Sequence, residues 1–260
     1  MSEFSARKFY DELAQDYHLM FRDWDASMAC QAEVLGELVR QSLGAGPHTV
    51  LDCSCGIGTQ AIGLALSGHR IVGSDLSPVA AARAAAEAAA RGSRLPVAAA
   101  DMRQLPFRER SFDAVLCADN SLPHLLSGQD LRAALLSMRR VLRDDGLLVI
   151  TVRDYDEARQ TRPTATPPQV SETRDGQVIT FQLWHWHADG ERYDLEHFQL
   201  IPAENAWHVR VRRSTYWALT SLQLTGFVAE AGFTDITWHS PVSSGYYQPV
   251  LTAQPAPLAQ

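Results

Sequence analysis

Ten consecutive residues, Val50-Leu51-Asp52-Cys53-Ser54-Cys55-Gly56-Ile57-Gly58-Thr59, carry the most specific chemistry in this chain. They read as a short strand, a tight glycine turn and the start of a helix. Gly56 and Gly58 allow the backbone to approach a ligand closely, and a helix N-terminus attracts a negative group. Farther on, about twenty residues in the spacing expected of such sites, Asp75 closes a second strand, where a carboxylate can accept both hydroxyls of a ribose. Asp101 follows a third strand. Together these residues describe a nucleoside site at the C-terminal edge of a parallel sheet.

Asp52 decides between nucleosides. A dinucleotide loop reads Gly-x-Gly-x-x-Gly, but here Ser54 takes the first position and Ala61 falls where the third glycine is sought. A carboxylate beside a pyrophosphate repels it; beside the amino group of an amino-acid-like cofactor it attracts. This favours S-adenosylmethionine over NAD, and so argues against an NAD-dependent oxidoreductase. Cys53-Ser54-Cys55 is not a zinc spacing, because no second pair or histidine cluster accompanies it; no metal is expected. The four cysteines (Cys30, Cys53, Cys55 and Cys117) do not form a disulfide framework in a chain this long, which fits a reduced, cytoplasmic setting.

The elements that must position these residues follow a regular order. Apolar runs at 48–53, 70–75, 96–100, 112–118 and 147–152 alternate with helical stretches at 60–67, 79–91 and 130–142. That is the pattern of a doubly wound α/β sheet. Ser77 caps the Ala-rich helix, with Pro78 at its first position. Before this core, Phe9, Tyr10, Leu13, Tyr17, Met20, Phe21 and Trp24 recur at three- and four-residue intervals as one helical stripe, and a second helix is expected at 29–43. Residues 160–176, with Pro163, Pro167 and Pro168, read as a loop. Three strands at 178–187, 192–201 and 207–216 follow without helices between them, the first two joined at Ala188-Asp189-Gly190-Glu191, so they form an antiparallel insert. A helix at 221–231 and strands at 234–239 and 246–252 complete the core, and 253–260 is expected to fray. The expected fold is a Rossmann-like seven-stranded, mostly parallel sheet with helices on both faces. One domain spans 1–260: a helical lid (1–44), a cofactor core (45–157), the insert as a substrate lid (177–217) and a C-terminal return (218–253).

Composition narrows the partners. The chain has 260 residues, with 23 Lys and Arg against 30 Asp and Glu, for a net charge of −7. Nucleic-acid affinity needs clustered Lys and Arg, so nucleic acid is not the expected partner. No apolar run approaches the roughly 20 residues of a membrane span, and residues 1–16 lack the apolar stretch of a signal peptide. The oligomeric state is left open.

The motifs resemble those of the class I S-adenosylmethionine-dependent methyltransferases over nearly the whole chain. Leu51-Asp52-x-x-x-Gly56-x-Gly58 is similar to that family's first motif, and Asp75 to its ribose-binding acid. Ala100-Asp101-Met102 resembles its adenine segment. Phe112-Asp113-Ala114-Val115 into Cys117-Ala118-Asp119-Asn120 resembles its fourth-strand motif, and Leu142-Arg143-Asp144-Asp145-Gly146-Leu147-Leu148 the turn before strand five. Ser54 departs from the commoner glycine. The resemblance implies that Asp52, Cys53, Gly56, Gly58, Asp75, Leu76, Asp101, Met102 and Ala118 hold S-adenosylmethionine, which leaves as S-adenosylhomocysteine. Asp101 would face the adenine amine and Met102 the ring.

Finer segments resemble the glycine/sarcosine-type small-molecule N-methyltransferases: Phe9-Tyr10-Asp11-x-Leu13-Ala14-x-x-Tyr17-His18, Asn120-Ser121-Leu122-Pro123-His124, Arg153-Asp154-Tyr155-Asp156 and Ser244-Gly245-Tyr246-Tyr247-Gln248-Pro249. By that resemblance Tyr17 and Trp24 close over the cofactor. The acceptor pocket falls to Asn120, His124, Arg153, Tyr155 and Tyr247, with His124 and Tyr155 as catalytic candidates. Arg153 suits a carboxylate bidentately. The expected reaction is in-line methyl transfer to a small molecule, at nitrogen first. Glycine or its methylated products, a flat natural-product heterocycle and a hydroxyl all stand as acceptors, and a non-catalytic cofactor binder is the remote alternative. Plain structural rivals stand beside these roles. Arg153 can pair with Asp154 or Asp156, His124 can cap a helix, and Tyr17 can belong to the apolar stripe. One of the pairs Trp184/Trp186 and His185/His187 must face inward, and Arg210, Arg212 and Arg213 read as a solvated strand face.

Overall fold

A computed structural model describes residues 5–173, 176–204 and 206–257. The central strands are β1 (Thr49–Asp52), β2 (Arg70–Asp75), β3 (Val97–Ala99), β4 (Phe112–Cys117) and β5 (Leu142–Thr151). They pair in parallel, with β1 between β4 and β2. Two later strands, β10 (Phe233–His239) and β11 (Val250–Pro255), extend the sheet beyond β5, and β11 runs antiparallel to both its neighbours. The chain leaves β1 first toward β2 and β3 and later returns to place β4 on its other side. That reversal creates the crevice in which ligands bind.

Alternation along each strand divides the core. Leu51, Val115 and Leu148 point to one face, while Val50, Ala114 and Leu147 point to the other, all of them buried. Burial on both sides is why these strands are near-continuous apolar runs. The second face is covered by α2 (Trp24–Leu43), α3 (Thr59–Leu66) and α4 (Pro78–Ala90). Ala80, Ala84 and Ala88 line the buried side of α4, and the Ser77 hydroxyl accepts from the Ala80 amide at 3.0 Å, as the Ser-Pro start requires. The first face takes α5 (Gly128–Val141) and α7 (Ser221–Glu230), both reaching the core through leucines.

The insert is a four-stranded antiparallel sheet: β6 (Gln169–Thr173), β7 (Gly176–Trp186), β8 (Arg192–Ala203) and β9 (Ala206–Trp217). The hairpin turn lies where expected, with Gly190 at φ 67°. β6 falls inside the stretch expected to be a loop. Its prolines precede it, and β7 supplies its antiparallel pairing. The Trp/His alternation resolves with tryptophan inward: Trp184 is buried on Tyr193, while His185 and His187 face Glu196 and Asp194 on the outside.

The N-terminal stripe is broken into three pieces: α1 (Ala6–Leu13), a 3₁₀ turn (Tyr17–Met20) and the start of α2, which begins at Trp24 because Asp23 caps it. This segment is tied down at several points. Arg83 donates to the carbonyls of Ala14 and Gln15 at 2.5 and 2.7 Å, and Gln169 to that of Met20 at 2.8 Å. Arg212 corrects the reading of a solvated arginine face: it is buried and pairs with Asp16 at 2.7 Å, whereas Arg210 and Arg213 remain at the surface. Two short helices went unread, α6 (Tyr155–Thr161) and α8 (Pro241–Ser244). β5 starts at Leu142 rather than 147, with a register shift opposite Phe112. β11 continues to Pro255, so the expected fraying does not begin at 253, and residues 258–260 lie outside the described residues. Among the described residues no helix is long and apolar enough to cross a membrane.

Candidate active site

A cavity of about 300 Å³ opens at the carboxyl ends of β1 to β4, within the size range of small-molecule sites. Cys53, Gly56, Asp75, Leu76, Asp101 and Met102 line one end of it, and Tyr17 and His124 the other. Each is there because a strand ends there. Gly56 has φ 51°, a conformation that favours glycine, and a Cβ would project from it into open space. The turn is fixed by Asp75, whose two oxygens accept from the amides of Gly56 and Ser77, both at 2.8 Å.

The electrostatics point to a cationic ligand with hydroxyls. Asp52 is fully buried; one oxygen accepts from the Ser54 amide at 3.3 Å and the other has no partner among the described residues. Burial, reinforced by Asp75 and Asp119, pushes its carboxyl up to about 7. Burial also pushes Asp75 up to about 6, against its two amide donors. A buried carboxylate with a free oxygen needs a compensating positive group. The ammonium and sulfonium of S-adenosylmethionine meet that need, and a pyrophosphate would aggravate it.

Several expected site residues do not line the cavity: Asp52, Gly58, Ala118 and Trp24 of the cofactor set, and Asn120, Arg153, Tyr155 and Tyr247 of the acceptor set, with Arg153 lining a separate groove beside Gln182 and His197. Gly58 does not line the cavity; it begins α3 at φ 96°, where a Cβ would meet Ile62 at 2.8 Å. Ala118 is buried beneath the cavity. Trp24 does not close over it either. Its indole N–H donates to Thr59 Oγ1 at 2.9 Å, and its ring lies beneath Arg91 and Arg83, so it braces a lining residue from behind. Asp101 reaches the cavity but grips Arg103, at 2.6 Å, which continues to Asp130 at 2.5 Å. Against the upward push of burial, Arg103 holds Asp101 below the usual carboxylate range.

On the wall expected to take the acceptor, His124 is held from both sides, Nε2 by Tyr10 Oη at 2.9 Å and Nδ1 by Ser214 Oγ at 3.1 Å. Burial, then the nearby Arg153 charge, pushes its imidazole down to about 3. His124 is therefore a neutral hydrogen-bonding group at physiological pH, and an imidazole held that low is too weak a base to draw a proton from a hydroxyl. Asn120, buried, accepts from the Arg153 amide at 3.1 Å. Arg153 pairs with neither Asp154 nor Asp156: those carboxylates accept from the amides of Glu157 and Ser221. Its guanidinium donates to Tyr193 Oη and Gln182 Oε1, both at 3.0 Å, and lies 4.8 Å from the Trp184 ring centre. Tyr155 is buried with its hydroxyl 3.0 Å from that of Tyr193, so it supports Arg153 and does not face the cavity. Tyr193 stacks between Trp184 and Tyr216, at 4.5 and 5.4 Å, so the insert's aromatic rings face one another.

Of the lining residues outside the expected set, Tyr10 and Asp119 organise the site. Tyr10 was read as part of an apolar stripe, yet its hydroxyl holds His124. Asp119 was read only as part of a strand motif. It lines the cavity and accepts from Tyr17 Oη at 2.8 Å and from Tyr247 Oη. Tyr247 thus reaches the site through Asp119, while its ring lines a neighbouring groove. Among the described residues no group of three or more His, Cys, Asp or Glu side chains is placed to hold a metal.

A doubly wound sheet with acids at three successive strand ends, one of them buried and half unpaired, defines an α/β enzyme for a cationic nucleoside. Known proteins make this specific. A family model described as a methyltransferase domain matches residues 50–146. The glycine/sarcosine N-methyltransferase of Aphanothece halophytica is 32% identical over 232 residues, 87% of this chain and 80% of that protein. That of Parasynechococcus marenigrum is 35% identical over 138 residues, 52% of this chain and 47% of that protein, so the match spans about half its length. Among solved structures, the CcbJ methyltransferase of Streptomyces caelestis superposes with a TM-score of 0.77 at 18% identity, covering 98% of this chain and all (100%) of that one, and shares the fold. The chain belongs to the class I S-adenosylmethionine-dependent methyltransferases, and S-adenosylmethionine is its cofactor.

Proposed function

We propose that this enzyme transfers the methyl group of S-adenosylmethionine to a nitrogen of a small-molecule acceptor. One observation carries the choice of nitrogen: the histidine on the cavity wall, His124, has both ring nitrogens occupied by Tyr10 and Ser214, and burial leaves it only weakly basic, pushed down to about 3. A hydroxyl must lose its proton to become a strong nucleophile, and that requires a base matched to the task. A neutral amine brings its own lone pair. This supports amine acceptors over O-methylation.

The cofactor, when bound, supplies an electrophilic methyl on sulfur. The protein's residues supply the rest. Asp75 meets the ribose part from the cavity wall, and Asp52, buried next to the lining residue Cys53, supplies a negative field to the cationic part; Tyr10, Tyr17, Ser121, Leu125 and Leu126 line the same cavity. Alignment and exclusion of water are the main contributions an enzyme makes to such a displacement.

Arg153 supports a narrower reading, an acceptor that carries a carboxylate. Its guanidinium forms no ion pair among the described residues, yet sits next to the ring of Tyr216, which in turn lies 4.1 Å from His124. The A. halophytica relative makes glycine and sarcosine the first acceptors to test. Arg153→Met separates the cases. With a carboxylate acceptor kcat/KM should fall about 100-fold or more, as expected for a charge-assisted hydrogen bond. With a neutral amine it should change little. Equal losses on both would overturn the carboxylate reading, and methylation of hydroxyl acceptors alone would overturn the choice of nitrogen.

A further inference from the structure

Asp119 is the charged side chain of the cavity that the roles above leave unused. Three separate parts of the chain converge on it. Tyr17 comes from the N-terminal 3₁₀ turn, Tyr247 follows α8, and Thr151 at the end of β5 accepts from the Asp119 amide at 2.8 Å through its hydroxyl. The backbone there is strained: Asp119 and Asn120 have φ 58° and 66°, adjacent left-handed conformations without glycine. Such conformations are costly and persist where surrounding contacts hold them, often at functional sites. Asn120 is held as well, its amide donating to the Thr151 carbonyl at 3.1 Å and its side chain accepting from Arg153. The result of this fixing is a carboxylate directed at the cavity and paired with no cation among the described residues.

Resting on the reading of an amine acceptor, we propose that Asp119 is the residue that recognises the acceptor's amino group, accepting one of its N–H bonds and selecting amines over alcohols. The chemistry gives that placement a purpose. As the nitrogen–carbon bond forms and the carbon–sulfur bond breaks, positive charge passes from sulfur to nitrogen; a proton then leaves the product ammonium to water. A fixed carboxylate beside nitrogen stabilises the charge where it arrives, and being preorganised it pays no reorganisation at that moment. The N–H bond it accepts also orients the lone pair. Tyr17 and Tyr247, each donating to Asp119, leave further acceptor capacity on the two oxygens.

Asp119→Asn tests this with little risk to the fold, since Asn also tolerates left-handed backbone. The complex of the full chain with S-adenosylhomocysteine is titrated with benzylammonium and with benzyl alcohol, matched in shape. Wild type should bind the ammonium about 10- to 100-fold more tightly, the range for a hydrogen bond to a charged group. The variant should lose that preference while its affinity for S-adenosylhomocysteine stays within about threefold, a tolerance well below the effect of losing one charge-assisted bond. Equal or absent binding of the two probes to wild type overturns the proposal, as does a preference that survives in the variant. Loss of S-adenosylhomocysteine affinity in the variant also overturns it, because Asp119 then serves the cofactor. Turnover separates this from the parent reading: if no amine takes up methyl yet the ammonium preference disappears with Asp119, N-methylation fails and the cation site stands.

Discussion

Asp52→Asn should make the ligand-free protein more stable and the cofactor-bound protein weaker. In the folded protein the Asp52 carboxyl is pushed from an ordinary value of 3.8 up to about 7, chiefly by burial. At about 1.4 kcal/mol per tenfold, ionising it inside the fold costs on the order of 4 kcal/mol. The sign follows from linkage. The folded state holds a proton that the unfolded state has already released, so the associated stability is complete below pH 3.8 and is lost as pH rises through about 7. Asparagine does not titrate, and the variant lacks this loss. Urea unfolding of both proteins without cofactor, from pH 4 to 8, should show the variant gaining on wild type by up to about 4 kcal/mol across that window. Asp75, raised to about 6, titrates in both proteins and enters the difference only through its repulsion with Asp52. Calorimetry above pH 7 should show the reverse for S-adenosylmethionine, weaker in the variant by about 2 kcal/mol or more, because the attraction to its cationic group is gone. A stability difference that does not change with pH, or an unchanged cofactor affinity, would refute the reasoning.

Other substitutions probe separate parts of the account. Asp75→Ala should weaken S-adenosylmethionine by about 2–3 kcal/mol in a calorimetric titration, through loss of a buried acceptor that also fixes the Gly56 turn. His124→Gln should keep kcat within about tenfold and leave its pH profile unshifted, since a neutral imidazole gives up only its hydrogen bonds; a loss of more than about 100-fold with a displaced acid limb restores the base role. Gly63→Ala should destabilise the fold by about 1–3 kcal/mol in thermal unfolding, because the new methyl would meet Ala32 Cβ at 2.6 Å and the Met28 carbonyl at 2.7 Å between α2 and α3. Arg212→Ala should increase proteolysis near residues 14–22 by leaving Asp16 to the exposed Arg210 alone, with S-adenosylmethionine protecting against it.

The cofactor half of the site was legible because a parallel sheet turns sequence order into place. Asp52, Asp75 and Asp101 each end a strand, and parallel strands put those ends at one edge. The Ser77-Pro78 start and the Ala-rich α4 were equally local and equally readable. What escaped depends on contacts between distant segments. β6 has no apolar alternation of its own and exists by pairing with β7. Trp24 sits at the start of α2 and not over the cavity because Asp23 caps that helix and Thr59 takes its indole N–H. Arg212 turns inward because Asp16, nearly two hundred positions earlier on the principle that long-range pairs leave no local pattern, waits there. Asp119 was hidden for another reason: left-handed backbone is usually announced by glycine, and here two polar residues adopt it in succession. The insert's rings were visible as a group, but only their stacking shows that they pack on one another around Arg153.

Methyl transfer to nitrogen is open to direct observation. The enzyme is incubated with S-adenosylmethionine labelled at the transferred methyl, with glycine, sarcosine and a panel of neutral amines, heterocycles and alcohols, and products are resolved by mass spectrometry and NMR. The account predicts labelled N-methyl product and S-adenosylhomocysteine in equal amounts, with carboxylate-bearing amines foremost. Label appearing on oxygen alone, or no transfer to any amine by protein that binds the cofactor, would contradict it.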